Sequence, residues 1–231
     1  MNKALYFTKL EQIKDINNCD RIYFGNEYCR FLIPKKTELT ECISKIKNKP
    51  LTLTTPIIND FDFEKIKDLL NVLERYLPDS EVVINDFGVL EILKEYKSLK
   101  PVLGRILISF PAYISDKIYI NDHSVLKLIH VNRIEINNYE KIIETPHKIL
   151  ISLHVPFTHI TTTRLCSSNN ESLFNKSLIC NLKCKTTRIK YPSIKEGIIQ
   201  KGNTQFMKKS ILLKQNASII DRLVISRDLP I

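Results

Sequence analysis

Short apolar runs alternate with longer segments whose apolar residues recur at helical spacing, and this alternation fills the first two thirds of the chain. Residues 21–25 (RIYFG) form an apolar run closed by glycine, which predicts a buried strand. Leu39, Cys42, Ile43 and Ile46 fall at i, i+3, i+4 and i+7 and predict one face of a helix over 37–47. A second strand is predicted at 51–54, ahead of Pro56. Asp60 or Asp62 can cap the next helix, whose apolar face is Phe63, Ile66, Leu69, Leu70 and Leu73 and which stops before Pro78. Residues 81–84 (EVVI) predict a third strand. Asn85 and Asp86 follow, then a helix carrying Val89, Leu90, Ile92, Leu93 and Tyr96. Further strands are predicted at 101–103, 133–136 and 149–153, with a helix from Asn121 or Asp122 to His130 between the first two.

Strand and helix in alternation, with short connections, is the pattern of a parallel α/β fold. Five or six such units fit a (β/α) barrel better than a small doubly wound sheet, and no Gly-x-Gly-x-x-Gly follows any strand. With 231 residues, the chain is shorter than the roughly 250 typical of eight units. The expected fold is an incomplete or open TIM-like (β/α) barrel over 1–155 with a Cys-containing C-terminal part over 156–231, together one domain. Residues 222–226 (RLVIS) read as a last strand.

After His154 the texture changes. Residues 158–163 (THITTT) and 167–172 (SSNNES) are polar and read as irregular. From Lys183 to Lys214 nine Lys or Arg face one acid, Glu196, so this stretch alone carries +8 of the chain's formal +10. A basic stretch of this kind suits phosphate contacts with RNA, or is simply a solvated face. The 43% hydrophobic and 26% charged content excludes wholesale disorder, and no apolar run is long enough to span a membrane. The N-terminus lacks the uninterrupted apolar core of a signal peptide, so a cytoplasmic location is expected.

In parallel α/β folds functional groups collect at the C-terminal ends of the strands. Asn26, Glu27, Cys29, Thr54, Thr55, Asn85, Asp86, Arg105, Asn137 and His154 occupy such ends. Capping and turn closure explain Asn85, Asp86 and Asn137 when each is taken singly. Arg105 and His154 are harder to explain that way. Arg105 is a candidate for gripping an anionic small-molecule substrate, Asn85 and Asp86 for orienting it, and His154 for moving a proton near neutral pH. Alternatively Arg105 pairs with a barrel carboxylate such as Asp86 or Glu135 and binds nothing.

Six cysteines in a reducing compartment are core residues, metal ligands or nucleophiles rather than disulfides. Cys42 sits on a helix's apolar face and Cys19 also reads as core. Cys166, Cys180 and Cys184 share one polar segment with the spacing C-x13-C-x3-C, and Cys29 lies at the rim after the first strand. Four thiolates from one face could enclose an iron–sulfur cluster or a tetrahedral Zn.

At these residues the chain resembles the collagenase-like peptidase family (class U, number thirty-two), most closely its UbiV-type branch. The resemblance is carried by 22–29 (IYFGNEYC), by 84–90 (INDFGVL), by Leu103-Gly104-Arg105 and by the trio Cys166, Cys180 and Cys184, and it extends to 202–206 (GNTQF). It implies a 4Fe-4S cluster on Cys29, Cys166, Cys180 and Cys184. It also implies a homologous UbiU-type partner and a part in oxygen-independent hydroxylation. Other members of the family hydroxylate RNA bases, and some were described as peptidases. A peptidase needs a nucleophile or a catalytic metal; no Gly-x-Ser-x-Gly or His-Glu-x-x-His occurs, and a Cys–His pair such as Cys166 with His154 or His159 is possible on paper. If Cys166 holds a cluster, it cannot also be that nucleophile.

Overall fold

A computed structural model describes residues 1–109, 129–137, 149–191, 194–208 and 220–231. The apolar runs become parallel strands: β1 (Asn2–Phe7), β2 (Arg21–Gly25), β3 (Leu51–Thr54), β4 (Glu81–Ile84), β5 (Lys100–Leu103), β6 (Arg133–Ile136) and β7 (Leu150–Val155). Between them lie α1 (Lys36–Lys45), α2 (Phe63–Tyr76), α3 (Phe87–Leu93) and the short α4 (Arg105–Ser109). The helix expected to start at Asn121 or Asp122 lies outside the described residues, except for a turn at Ile129–His130.

After β7 the chain leaves the barrel. It forms β8 (Phe157–Thr162), the two-residue strands β9 (Leu165–Cys166) and β10 (Glu171–Ser172), then β11 (Thr186–Tyr191), β12 (Ile194–Lys201) and β13 (Thr204–Lys208). The order β11-β12-β13-β8 makes a four-stranded antiparallel sheet. The Thr-rich 158–163 stretch, expected to be irregular, is thus mostly strand; β-branched Thr suits a pleated surface. Strand β14 (Arg222–Ser226) returns to the barrel as expected.

The barrel is closed rather than incomplete or open. Its order is β1-β14-β7-β6-β5-β4-β3-β2, and β1 pairs with β14 in parallel from Asn2–Arg222 to Tyr6–Ser226. β1 supplies the strand the sequence reading lacked, and closure removes the free edges that an open barrel would expose.

Alternate positions along each strand explain both faces. Leu5, Phe7, Ile22, Phe24, Leu51, Leu53, Val82 and Ile84 belong to the large apolar core that includes Leu39 and Cys42 of α1 and Ile66, Leu69, Leu70 and Leu73 of α2. Each fully buried Leu or Ile there contributes roughly 1.5–3 kcal/mol over an exposed one. Asp86 caps α3, its Oδ1 accepting from Gly88 N at 2.7 Å. Asp62 precedes α2 but does not cap it through its side chain; both carboxylate oxygens accept from Arg30, at 2.5 and 2.9 Å.

The inward positions are unusually polar. Arg21, Glu81, Arg133 and Arg222 begin the four alternate strands β2, β4, β6 and β14, and their side chains meet at the N-terminal end of the barrel. Arg222 grips Glu81 with two bonds of 2.5 and 3.0 Å, and Arg133 holds Asp221 at 2.7 Å. Burial pushes the Glu81 carboxyl up. The Arg222 bonds and the charges of Arg21, Arg222 and Arg133 outweigh it, and the net position is about 2. Above this layer Ala4, Tyr6, Tyr23, Val83, Val102 and Val224 pack together.

Candidate functional site at the barrel mouth

The C-terminal ends of β2, β5, β6 and β7 deliver Glu27, Arg105, Asn137 and His154 to one end of the barrel. Arg105 is 1% exposed and Glu27 0%. The Arg105 Nε and Nη2 donate to the two Glu27 oxygens at 3.1 and 2.5 Å, and its Nη1 donates to Asn137 Oδ1 at 2.9 Å. The fork that would grip an anionic substrate is therefore closed on Glu27. Of the two readings offered for Arg105, the geometry matches the ion pair, with Glu27 as the partner in place of Asp86 or Glu135.

Asn85 and Asp86 serve the backbone. Asn85 Nδ2 donates to Thr55 O at 2.9 Å and its Oδ1 accepts from Ile106 N at 3.1 Å, so it ties three strand ends together. Gly104 makes this possible: a Cβ there would lie 2.2 Å from Asn85 Oδ1. This close approach is the physical content of the Leu103-Gly104-Arg105 motif.

His154 lies deeper. Its Nε2 meets Glu135 Oε2 at 2.5 Å, and Tyr23 Oη donates to Glu135 Oε1 at 2.9 Å. Tyr6 and Tyr23 stand edge-on to the imidazole, with ring centroids 6.1 and 5.9 Å away. Among the described residues His154 Nδ1 is buried without a partner. Burial, helped by the Arg105 charge, holds the imidazole well below its ordinary range, so it is neutral at pH 7. Burial pushes Glu135 the other way, up to about 7, against the Arg222 charge and the Tyr23 bond. The group that titrates near neutrality is thus Glu135, where the sequence pointed to His154. When Glu135 gives up its proton, its carboxylate needs a donor, so the imidazole must carry its hydrogen on Nε2. Proton loss is thereby coupled to a change of tautomer.

Above this pair, Tyr28 stacks on His159 at 5.1 Å and meets the edge of Phe206 at 5.0 Å. The Arg105 guanidinium lies 5.4 Å from the Tyr28 ring centre. His159 Nε2 contacts Thr162 Oγ1 at 2.8 Å, and burial lowers this histidine to about 3. Nε2 of His154 meets Glu135 and that of His159 meets Thr162, and among the described residues both Nδ1 atoms lack a partner, so neither histidine is hydrogen-bonded to Cys166 as a peptidase pair would require. A cavity of about 270 Å³ opens on the same rim, with Tyr6 in its wall and Glu11, Lys14, Arg227 and Asp228 around it.

Tyr28 leads directly to the cysteines. Asn26 Oδ1 accepts from Tyr28 N at 2.9 Å and Cys29 N at 2.8 Å, an Asx-type turn that fixes Cys29 at the rim. Cys29 and Cys166 are buried, and Cys180 and Cys184 are half-buried. Burial pushes the Cys29 thiol up to about 12. The Phe31 N–H facing it works the other way, and negative charge on Cys184, Cys180 and Cys166 adds to the rise. Burial and then Cys166 and Cys180 raise Cys184 likewise, against the Lys201 charge. The four thiols are therefore electrostatic neighbours, although no group of three or more His, Cys, Asp or Glu among the described residues is arranged to hold a metal ion as it stands. Cys19 and Cys42 are core: Cys19 Sγ donates to Ile16 O, and Cys42 is 0% exposed under α1.

The chemistry of this donor set fits a thiolate-bound group. Four soft sulfurs come from three loops, and backbone N–H groups face two of them, Phe31 at Cys29 and Leu182 at Cys180 (3.4 Å). In the sequence Glu27 stood out only as a strand-end residue and Glu135 only as a possible partner of Arg105, while Tyr28 and Asn203 were given no role of their own. Glu27 lies between the strand and Cys29 in GNEYC, which was its one available signal.

Comparison of the chain with protein-family models, with curated proteins and with solved structures finds no match. Among the described residues no helix is long and apolar enough to cross a membrane.

Proposed function

We propose that the chain is a 4Fe-4S-binding component of an oxygen-independent hydroxylation system, UbiV-like, working in the cytoplasm with a homologous UbiU-like partner. The observation that carries this reading is that the segments bearing Cys29, Cys166 and Cys184 meet at the Gly202–Asn203 turn beside the barrel mouth. The same donor set would also accept Zn. We read the barrel as TIM-like, because four alternate strands contribute Arg21, Glu81, Arg133 and Arg222 to one interior layer.

Bound at these thiolates, the cluster would supply one-electron redox chemistry. The chain's own residues set the surroundings. Asn26 orients Cys29 through its backbone. The neutralised Arg105–Glu27 pair and the Tyr28 ring wall the mouth. Glu135 holds a proton near neutral pH against His154.

The test is anaerobic reconstitution with iron and sulfide, followed by an absorption spectrum and iron analysis. A brown protein that loses iron on Ala replacement of Cys29, Cys166, Cys180 or Cys184, and keeps it in Cys42→Ala, supports the reading. A colourless protein that binds Zn identifies the other occupant. Full iron in Cys180→Ala overturns the ligand set.

A second reading, modification of RNA bases, is favoured by one observation. Lys183, Lys185, Arg188 and Lys190 are all exposed on and before strand β11. Salt-sensitive retention of the cluster-loaded protein on RNA would support it.

A further inference from the structure

We infer that the Gly202–Asn203 turn is a clasp that positions three of the four cysteines, with Asn203 as the positioning residue; this rests on the cluster reading. The turn joins β12 to β13, and Asn203 is 4% exposed. Its Nδ2 donates to two backbone carbonyls, Tyr28 O at 2.8 Å and Thr163 O at 3.2 Å. Its own carbonyl accepts from Thr163 N at 2.9 Å. The Gly202 carbonyl accepts from Ser167 Oγ at 2.6 Å and Ser167 N at 3.3 Å.

Tyr28 immediately precedes Cys29, while Thr163 and Ser167 bracket Cys166. Two adjacent residues therefore hold both segments by their backbones. The third segment touches the same turn: a Cβ on Gly202 would stand 3.5 Å from Cys184 Sγ. Cys180 has no such tie. Its loop is joined to the rest through Lys185 N, which donates to Ser168 Oγ at 3.2 Å.

Only an amide serves at 203. One planar NH2 meets two carbonyl oxygens from segments far apart in sequence, and aspartate of the same shape would turn acceptors toward both. The clasp places Cys29, Cys166 and Cys184 before any ligand arrives, and leaves Cys180 to complete the set.

The experiment uses the full chain with Asn203→Asp, and Ser167→Ala as a milder second variant. Iron per chain and the rate of iron loss to a chelator are measured after anaerobic reconstitution, alongside thermal melting. In metal-free protein, a short bis-alkylating thiol reagent reports the Cys29–Cys184 and Cys166–Cys184 pairs by mass spectrometry. Leaving the two carbonyls without their donor predicts about tenfold faster iron loss in Asn203→Asp and about threefold in Ser167→Ala. Cross-linking of both pairs should fall in parallel, with melting within a few degrees of wild type. Unchanged iron loss and unchanged cross-linking in the variants overturn the clasp. If Asn203→Asp does not fold, Ser167→Ala decides by the same criteria. If wild-type protein takes up no iron, the cluster reading fails, and cross-linking alone decides the clasp.

Discussion

Replacing Glu135 with Gln should make the protein's stability less sensitive to alkali, by an amount that follows from the barrel interior. Glu135 is 0% exposed, held by Tyr23 and His154, and burial lifts it to about 7. An unfolded glutamate titrates near about 4.3. A carboxyl raised in the folded state contributes stability that is fully present below about 4.3 and is lost as the pH climbs through about 7. At about 1.4 kcal/mol per pH unit, roughly 2.5 kcal/mol disappears between pH 5 and pH 8. Glutamine mimics the protonated acid and keeps an acceptor for Tyr23. His154 and His159 remain in both proteins, so their own titrations cancel to first order in the comparison. Urea unfolding at pH 5, 6, 7 and 8 should show the two proteins within about 1 kcal/mol at pH 5 and Glu135→Gln ahead by roughly 2–3 kcal/mol at pH 8. Parallel stability profiles from pH 5 to 8 would mean that Glu135 is ionised throughout, and the assignment of the neutral-pH group would fall.

Glu81 works in the opposite direction. Its carboxyl sits at about 2, so its stabilisation is present above about 4.3 and lost as pH falls toward 2; Glu81→Gln should cost at least about 3 kcal/mol at pH 7 by urea unfolding and flatten the acid limb. Arg105→Lys keeps the charge but opens the fork on Glu27 and Asn137, and should cost about 2–4 kcal/mol with iron content preserved; unchanged stability would show that the ion pair is not structural. Gly104→Ala should cost about 2–4 kcal/mol by displacing Asn85, and adding Asn85→Ala should recover part of it. Strict additivity in that double variant would exonerate Asn85.

The outward-facing half of the barrel was legible because its strands are short apolar runs and its helices carry apolar stripes, as in Ile66, Leu69, Leu70 and Leu73. The inward-facing half was not. Arg21, Glu81, Arg133 and Arg222 look like solvated charges in a sequence, and only closure brings them together. β1 was missed because Asn2–Phe7 is a brief run beside a charged stretch, and its partner β14 is remote in sequence. At the mouth, the chemistry-bearing residues were legible by type and position at strand ends. Their partners were not, since nothing local in the sequence says that Arg105 meets Glu27 or that Glu135 lies under His154. The cysteine spacing drew attention to those segments, while the role of the turn at Gly202–Asn203 shows only where the distant segments around Tyr28 and Thr163–Ser167 meet it.

The seam between β1 and β14 also sets a clock. A ribosome adds roughly 5–20 residues per second, so β1, which can pair with β2 early, waits on the order of 10–40 s for β14 to cover its other edge. Cys29 likewise emerges long before Cys184 and the turn at Gly202. Through that interval a nascent chain exposes an unpaired edge of β1. If a cluster binds here, a carrier that met the chain before Cys166 was made would find one of the four proposed sulfurs and three still to come. On that reading, delivery belongs after the turn at Gly202–Asn203 has formed.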